Sequence, residues 1–353
     1  MTKQIEKVLF YGNFGENGKP VFDGQRTKAR NIYNIIRERY PNIKTTIFNT
    51  NNFKKHKILN FIKLIFTIKK HDSVFIFPGG YNSLRIVLRA IGKSVNKMNC
   101  FYPVVGGFIG EYCLKNKKDS NILKSFKGIF CETNGICDQL KSQGFENVFL
   151  SPVFTLRKRK DFNYLEKYFP DDSIIRFCTF GRVSESKGIS LAIDTILKIS
   201  SFTKKPIILD IYGKIYKSDN YGAILEEKIK KSMGIVNYCG PLPDNNFEIL
   251  SSYHFMLFPT HFDGEGFPAC VLECYQFATP VIASDWKYNK EFVNDKTGYI
   301  FELNNDSFFK TLLLAISNID HNFEFKKNAY EYSKSFEPQK CLKPVFDVID
   351  KMV

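Results

Sequence analysis

Twelve short apolar runs, each followed by a helix-length stretch, constrain this 353-residue chain more than any other feature. They are Val8–Tyr11, Thr45–Asn49, Ser73–Phe77, Phe101–Val105, Ile129–Glu132, Val148–Ser151, Ile174–Phe180, Ile207–Tyr212, Ile235–Cys239, Phe255–Pro259, Pro280–Ser284 and Tyr299–Phe301. Strands that alternate with helices must be joined by crossovers, which gives parallel, doubly wound sheets. The rhythm breaks once, between Pro152 and Asp172, at the basic cluster Arg157–Lys160 and a Pro-Asp-Asp turn. The expected class is therefore α/β, with two Rossmann-like domains facing a cleft. Expected boundaries are residues 1–155, a linker over 156–172, and a second domain over 173–335. The apolar Val345, Phe346, Val348 and Ile349 after Pro338 predict that 336–353 form a last helix crossing back to the first domain.

Charge is divided unevenly. The chain carries +15, but residues 1–160 hold +19 and the rest −4. A basic half of this kind suits a polyanion or an anionic membrane surface. The N-terminus reads as no signal peptide, and no apolar run is long enough to span a bilayer. Nine cysteines without C-x-x-C spacing read as free thiols of a reducing cytoplasm. The stretch Lys54–Lys70 is amphipathic, with Ile58, Phe61, Ile62 and Ile65 at helical spacing between lysines. It reads either as a helix docked on its own sheet, or as a basic aromatic face for anionic lipid.

Two constellations carry chemistry. From His254 to Trp286 an apolar strand feeds a loop rich in glycine and acid (His261–Phe267), then a helix starting at Pro268. Glu265 lies in the loop and Glu273 lies two turns into an otherwise apolar helix, where a carboxylate needs a partner. The first-turn amides, from Ala269 and Cys270, favour an anion. A ligand with both phosphates and hydroxyls satisfies both features. In the second constellation, Phe180–Gly188, a strand-to-helix loop carries Arg182 and Lys187, a fork and a point charge suited to a diphosphate. The glycines of Gly12-Asn13-Phe14-Gly15-Glu-Asn-Gly18 permit close backbone approach, without forming a dinucleotide fingerprint.

The pairing of G-R-x-x-x-x-K-G (Gly181–Gly188) with E-G-F-x-x-x-x-x-E (Glu265–Glu273) resembles the retaining GT-B glycosyltransferases of family 4. Ala278–Asp285 looks like the same family. Asp23-Gly-Gln-Arg-Thr-Lys, Val105-Gly-Gly and Asp285-Trp-Lys-Tyr-Asn resemble its capsule, O-antigen and exopolysaccharide members. The resemblance is strongest in residues 174–302. It implies that a sugar moves from a nucleotide diphosphate sugar, expected to be a UDP-sugar, to a lipid-linked or saccharide acceptor. Arg182 and Lys187 would hold the diphosphate and stabilise the leaving group. Glu273 would take the ribose hydroxyls, and Glu265 the sugar hydroxyls beside the Gly266 and Phe267 amides. The Ala269 and Cys270 amides would meet phosphate. The base would lie against Tyr238–Leu242, near Tyr212-Gly213. Gly12, Asn13 and Gly15 would stand near the reaction centre, in the acceptor domain. The implied location is cytoplasmic, on the inner face of the membrane.

Two departures from the family stand out: Val104–Glu111 offers no histidine where many members place one, and Pro268 replaces a frequent glycine. No D-x-D occurs, so neither a metal nor another cofactor is expected; Arg182, Lys187 and the helix start offset the diphosphate charge. The rival readings are a nucleotide-sugar epimerase or hydrolase on this fold, and a non-catalytic polyanion binder. Nucleic acid is not expected as a partner, because the aromatics fall at buried strand positions.

Overall fold

The computed structural model describes residues 5–15, 24–51, 53–93, 99–171, 173–215 and 221–353. Expectations at Glu16, Gly18, Asp23 and Asp172 lie outside those residues. The chain divides into two compact units, residues 1–153 with Pro338–Val353, and Phe154–Glu337.

The first unit is built on six parallel strands: β1 (Lys7–Gly12), β2 (Lys44–Asn49), β3 (Ser73–Phe77), β4 (Asn99–Pro103), β5 (Gly128–Cys131) and β6 (Val148–Leu150). Their order is β2-β1-β3-β4-β5-β6. The inner strands are apolar at nearly every position because both faces of a parallel sheet are covered. Phe10, Phe75 and Phe101 stand in register on three neighbouring strands. Their rings stack at 5.3 and 4.6 Å. The last helix, Lys343–Ile349, buries Val345, Phe346 and Ile349 in this unit. Asp350 beyond it accepts from Tyr40 Oη at 2.5 Å and from Arg39 Nη2 at 3.1 Å.

The helix Lys57–Lys69 departs from the docked-stripe expectation. It buries Leu64 and Ile68. Ile58, Leu59, Ile62 and Phe66 are exposed, at 79, 66, 45 and 59 %. At 100° per residue these four share one face, roughly opposite the buried pair. The helix is thus apolar on two sides, and only one of them is buried.

The second unit repeats the architecture with β7 (Ile175–Phe180), β8 (Ile207–Tyr212), β9 (Val236–Gly240), β10 (Phe255–Phe258), β11 (Val281–Ser284) and β12 (Gly298–Phe301). The order β12-β11-β10-β7-β8-β9 reverses between β7 and β10. Its core joins Phe177, Leu209, Ile211, Leu257 and Ile282 to helix residues Ile193, Ile196 and Leu312. The described residues of the expected linker, 156–171, fold with this unit. Leu165 is fully buried, and the Phe162 ring lies 5.3 Å from Tyr330. Among the described residues no helix is long and apolar enough to cross a membrane.

Candidate active site

In open α/β sheets ligands bind beyond the carboxyl ends of the strands, where strand order reverses. In the second unit that place lies between β7 and β10. The loop after β7 is Gly181–Gly188 and the loop after β10 is Pro259–Pro268, so the fold itself brings the two constellations together. The loops are tied through His261 N, which donates to Ser186 O at 2.9 Å. Close approach explains two of the glycines. A Cβ on Gly188 would lie 2.0 Å from Pro259 O, and one on Gly213 would lie 1.6 Å from Gly181 O, both at positive φ.

Lys187 and Glu265 meet directly, Nζ to Oε2, at 2.5 Å, with side chains 15 and 7 % exposed. Thr260 Oγ1 donates to the same carboxylate oxygen at 2.8 Å. Arg182 stands at the exposed end of the cluster, its guanidinium carbon 5.8 Å from the Phe262 ring centre, and Lys187 Nζ lies 5.2 Å from the same ring. Phe262 is fixed in turn by Trp286 Nε1, which donates to its carbonyl at 2.9 Å. Gly266 and Phe267 are buried behind the loop, Phe267 stacked on Phe292 at 4.5 Å.

The helix spans Ala269–Gln276, with Pro268 as its extended cap rather than its first residue. Its first turn faces the first loop, because a Cβ on Gly181 would touch Cys270 Sγ at 3.6 Å. Burial pushes the Cys270 thiol up to about 12; Lys187 opposes that rise, while Glu265 and Glu273 add to it. Lys187, Glu265 and Glu273 thus all lie within electrostatic reach of that sulfur.

Glu273 follows one turn later. Burial pushes its carboxyl up to about 7, and Arg157 pulls it back. Arg157 Nη2 lies 3.8 Å from Glu273 Oε1, although the glutamate side chain keeps 20 % of its surface. Leu242 is buried in the loop after β9. Tyr238 Oη donates to Gly213 O at 2.8 Å, closing the other side of that segment. His254 faces its own sheet, its Nδ1 accepting from Arg176 N at 3.0 Å. All nine cysteines are free thiols.

In the first unit, Gly12, Asn13 and Gly15 leave the end of β1, where that sheet also reverses order. Gly12 has no room for a side chain, since a Cβ would lie 2.8 Å from Phe77 O. Asn13 Oδ1 accepts from Gly15 N at 3.0 Å, and Asn49 Nδ2 donates to Gly15 O at 2.8 Å. Behind them Lys28 Nζ donates to Glu132 Oε1 at 2.8 Å and Val104 O at 2.7 Å, and Glu132 Oε2 receives Gly106 N at 3.1 Å. This buried clasp shapes the Val104–Gly107 turn. Sequence reasoning missed it and Arg157, because no local spacing announces partners so distant in the chain; it also missed Thr260, five positions before its partner Glu265.

These two sheets with their covering helices are the GT-B fold of glycosyltransferases. Residues 175–318, all within the second unit, match the family model described as Glycosyl transferases group 1. The chain is similar to HepE of Anabaena, solved in complex with UDP, at TM-score 0.71 and 14 % identity over 98 % of this chain and 100 % of that one. It is similar to the lipopolysaccharide outer core galactosyltransferase WaaB, at TM-score 0.72 and 16 % identity over 98 and 100 %. Sucrose-phosphate synthase from Thermosynechococcus elongatus gives TM-score 0.75 and 12 % identity over 98 % of both chains. At such identities these likenesses speak for the fold alone. No curated protein sequence matches the chain.

Proposed function

We propose that the protein is a retaining glycosyltransferase of the family 4 type, taking a sugar from a nucleotide diphosphate sugar, UDP-linked by preference. One observation carries this reading: the loop bearing Arg182 and Lys187 and the segment bearing Glu265 and Glu273 meet at one switch point, where Lys187 pairs with Glu265. Arg182, Lys187 and the Ala269 and Cys270 amides bind the diphosphate and stabilise it as it leaves. Glu273 accepts the ribose hydroxyls and the segment up to Leu242 supports the base. Glu265 takes the sugar hydroxyls, exchanging part of its contact with Lys187 for the donor. The acceptor hydroxyl then attacks on the leaving-group side and the donor phosphate receives its proton, so positioning supplies the rate. The positive groups already offset the diphosphate, and the reaction is assigned as metal-independent. The test is transfer from a panel of nucleotide sugars, with NMR of the product anomer. Arg182→Ala and Glu265→Ala each lower turnover by about 100-fold or more with the fold retained. Unchanged turnover in either would remove the donor-site assignment.

We assign acceptor binding to the first unit, the acceptor being a lipid-linked or saccharide chain of cell-surface polysaccharide synthesis. The supporting observation is the second apolar face of helix Lys57–Lys69. Ile58, Leu59, Ile62 and Phe66 stand in water among Lys55, Lys63, Lys69 and Lys70, all exposed. An apolar stripe among cations suits the interface of an anionic bilayer, which supports a peripheral position on the inner face of the membrane. Wild type is expected to sediment with anionic vesicles and not with neutral ones, and Ile62→Asp/Phe66→Asp to stay in solution. Equal binding to both vesicle types would remove the lipid assignment.

A further inference from the structure

Arg157 belongs to neither sequence constellation, yet its guanidinium joins two parts of the proposed donor site. The plane lies over the Phe247 ring, 3.4 Å from its centre. Nη1 donates to Asp244 O at 3.0 Å and Nη2 donates to Asp244 Oδ1 at 3.1 Å. The same Nη2 faces Glu273 at 3.8 Å. Asp244 sits two residues past Leu242, on the segment proposed for the base, and Glu273 is the proposed ribose acceptor. The Phe247 platform is itself held edge-on by Phe180 at 5.5 Å and by a tilted Phe277 ring at 5.7 Å. One end of that support is β7 and the other is the far end of the Glu273 helix. A flat cation with a fixed fork is suited to stacking and two-sided bonding, where a lysine is not.

The surroundings of Glu273 leave Arg157 as the group that favours its charged form. Asp244 repels it, and burial disfavours its ionisation. The helix Asn322–Ser333 packs behind it. There Lys326 directs its ammonium to the carbonyls of Ser251, Tyr253 and Ala278, and Tyr332 lies against the Tyr275 ring.

We infer that Arg157 is a positioning residue for the donor nucleotide: it keeps the Glu273 carboxylate charged and aimed, and latches the Leu242–Asp244 segment beside it. The inference rests on the donor-site reading and adds to it a residue from the segment before the second sheet. A merely structural strut would predict loss of stability alone.

The experiment is calorimetric titration of UDP into wild type, Arg157→Lys and Arg157→Met at pH 8 and pH 6, with thermal unfolding of each and donor kinetics of each. Arg157→Met is expected to weaken UDP by about 10- to 100-fold at pH 8, the loss of one charge-assisted contact. The loss grows at pH 6, where Glu273 without its cation takes up a proton. Donor KM rises more than kcat falls, and Arg157→Lys recovers part of the affinity at pH 8. Wild-type UDP affinity in Arg157→Met at both pH values would overturn the inference, whatever its stability. So would an equal loss at both pH values, which marks general loosening. Wild type that fails to bind UDP would overturn the UDP reading and this inference with it, a result distinguishable because it precedes any variant.

Discussion

Removing one partner of the Lys187–Glu265 pair should cost more stability than removing both. The two side chains are 15 and 7 % exposed and meet at 2.5 Å. Glu265→Met leaves the Lys187 ammonium in a site built for a carboxylate, and Lys187→Met leaves the carboxylate with the Thr260 hydroxyl as its remaining side-chain donor. Either orphaned charge costs about 3–5 kcal/mol. At about 2–4 °C per kcal/mol for a unit of this size, each single variant should melt about 10 °C lower. Lys187→Met/Glu265→Met carries no charge to strand. It loses chiefly the Thr260 hydrogen bond, about 1 kcal/mol, and should melt closer to wild type than either single variant. Calorimetric melting of the four proteins closes the cycle. UDP-sugar turnover should vanish in all three variants, which separates stability from function. A double variant whose loss equals the sum of the singles would refute the claim that these residues form one coupled buried pair.

Four other outcomes follow from the same geometry. UDP affinity should rise with pH up to about 7 and then level off, because Glu273 must be a carboxylate and its carboxyl is pushed up to about 7; calorimetry from pH 5.5 to 8.5 reads this, and a flat profile contradicts it. Over the pH range between its ordinary value and 7 the folded chain holds this proton better than the unfolded chain, so Glu273 contributes less stability as pH rises, visible as a falling melting temperature that Glu273→Gln abolishes. Lys326→Met should lower the melting temperature by about 10 °C, since three buried carbonyls lose their donor. Transfer should persist in EDTA; a rate restored only by added magnesium or manganese would end the metal-independent assignment.

The alternation of strands and helices was legible because each parallel strand is buried on both faces and must be apolar along its length. The loops Gly181–Gly188 and Glu265–Glu273 were legible for a related reason: a glycine turn and a helix start confine their chemistry to a few neighbouring residues. Pairing was not legible. Lys187 and Glu265 lie 78 positions apart, and Arg157 and Asp244 lie 87 apart, so only the strand order decides that they touch. Helix Lys57–Lys69 shows another limit. Ile58, Phe61, Ile62 and Ile65 form a good apolar stripe by spacing, but Leu64 and Ile68 form another. Periodicity reports that a helix has an apolar side, and it does not choose between two sides when both exist. At Pro268 the chain is extended, so proline caps the helix instead of opening it.

The most direct test of the central claim is a crystal structure of this protein with UDP bound. The account predicts the diphosphate between Arg182, Lys187 and the Ala269 and Cys270 amides, the ribose hydroxyls on Glu273, and the base beside Leu242. A nucleotide seated elsewhere in the chain, with the Lys187–Glu265 pair undisturbed, would contradict it.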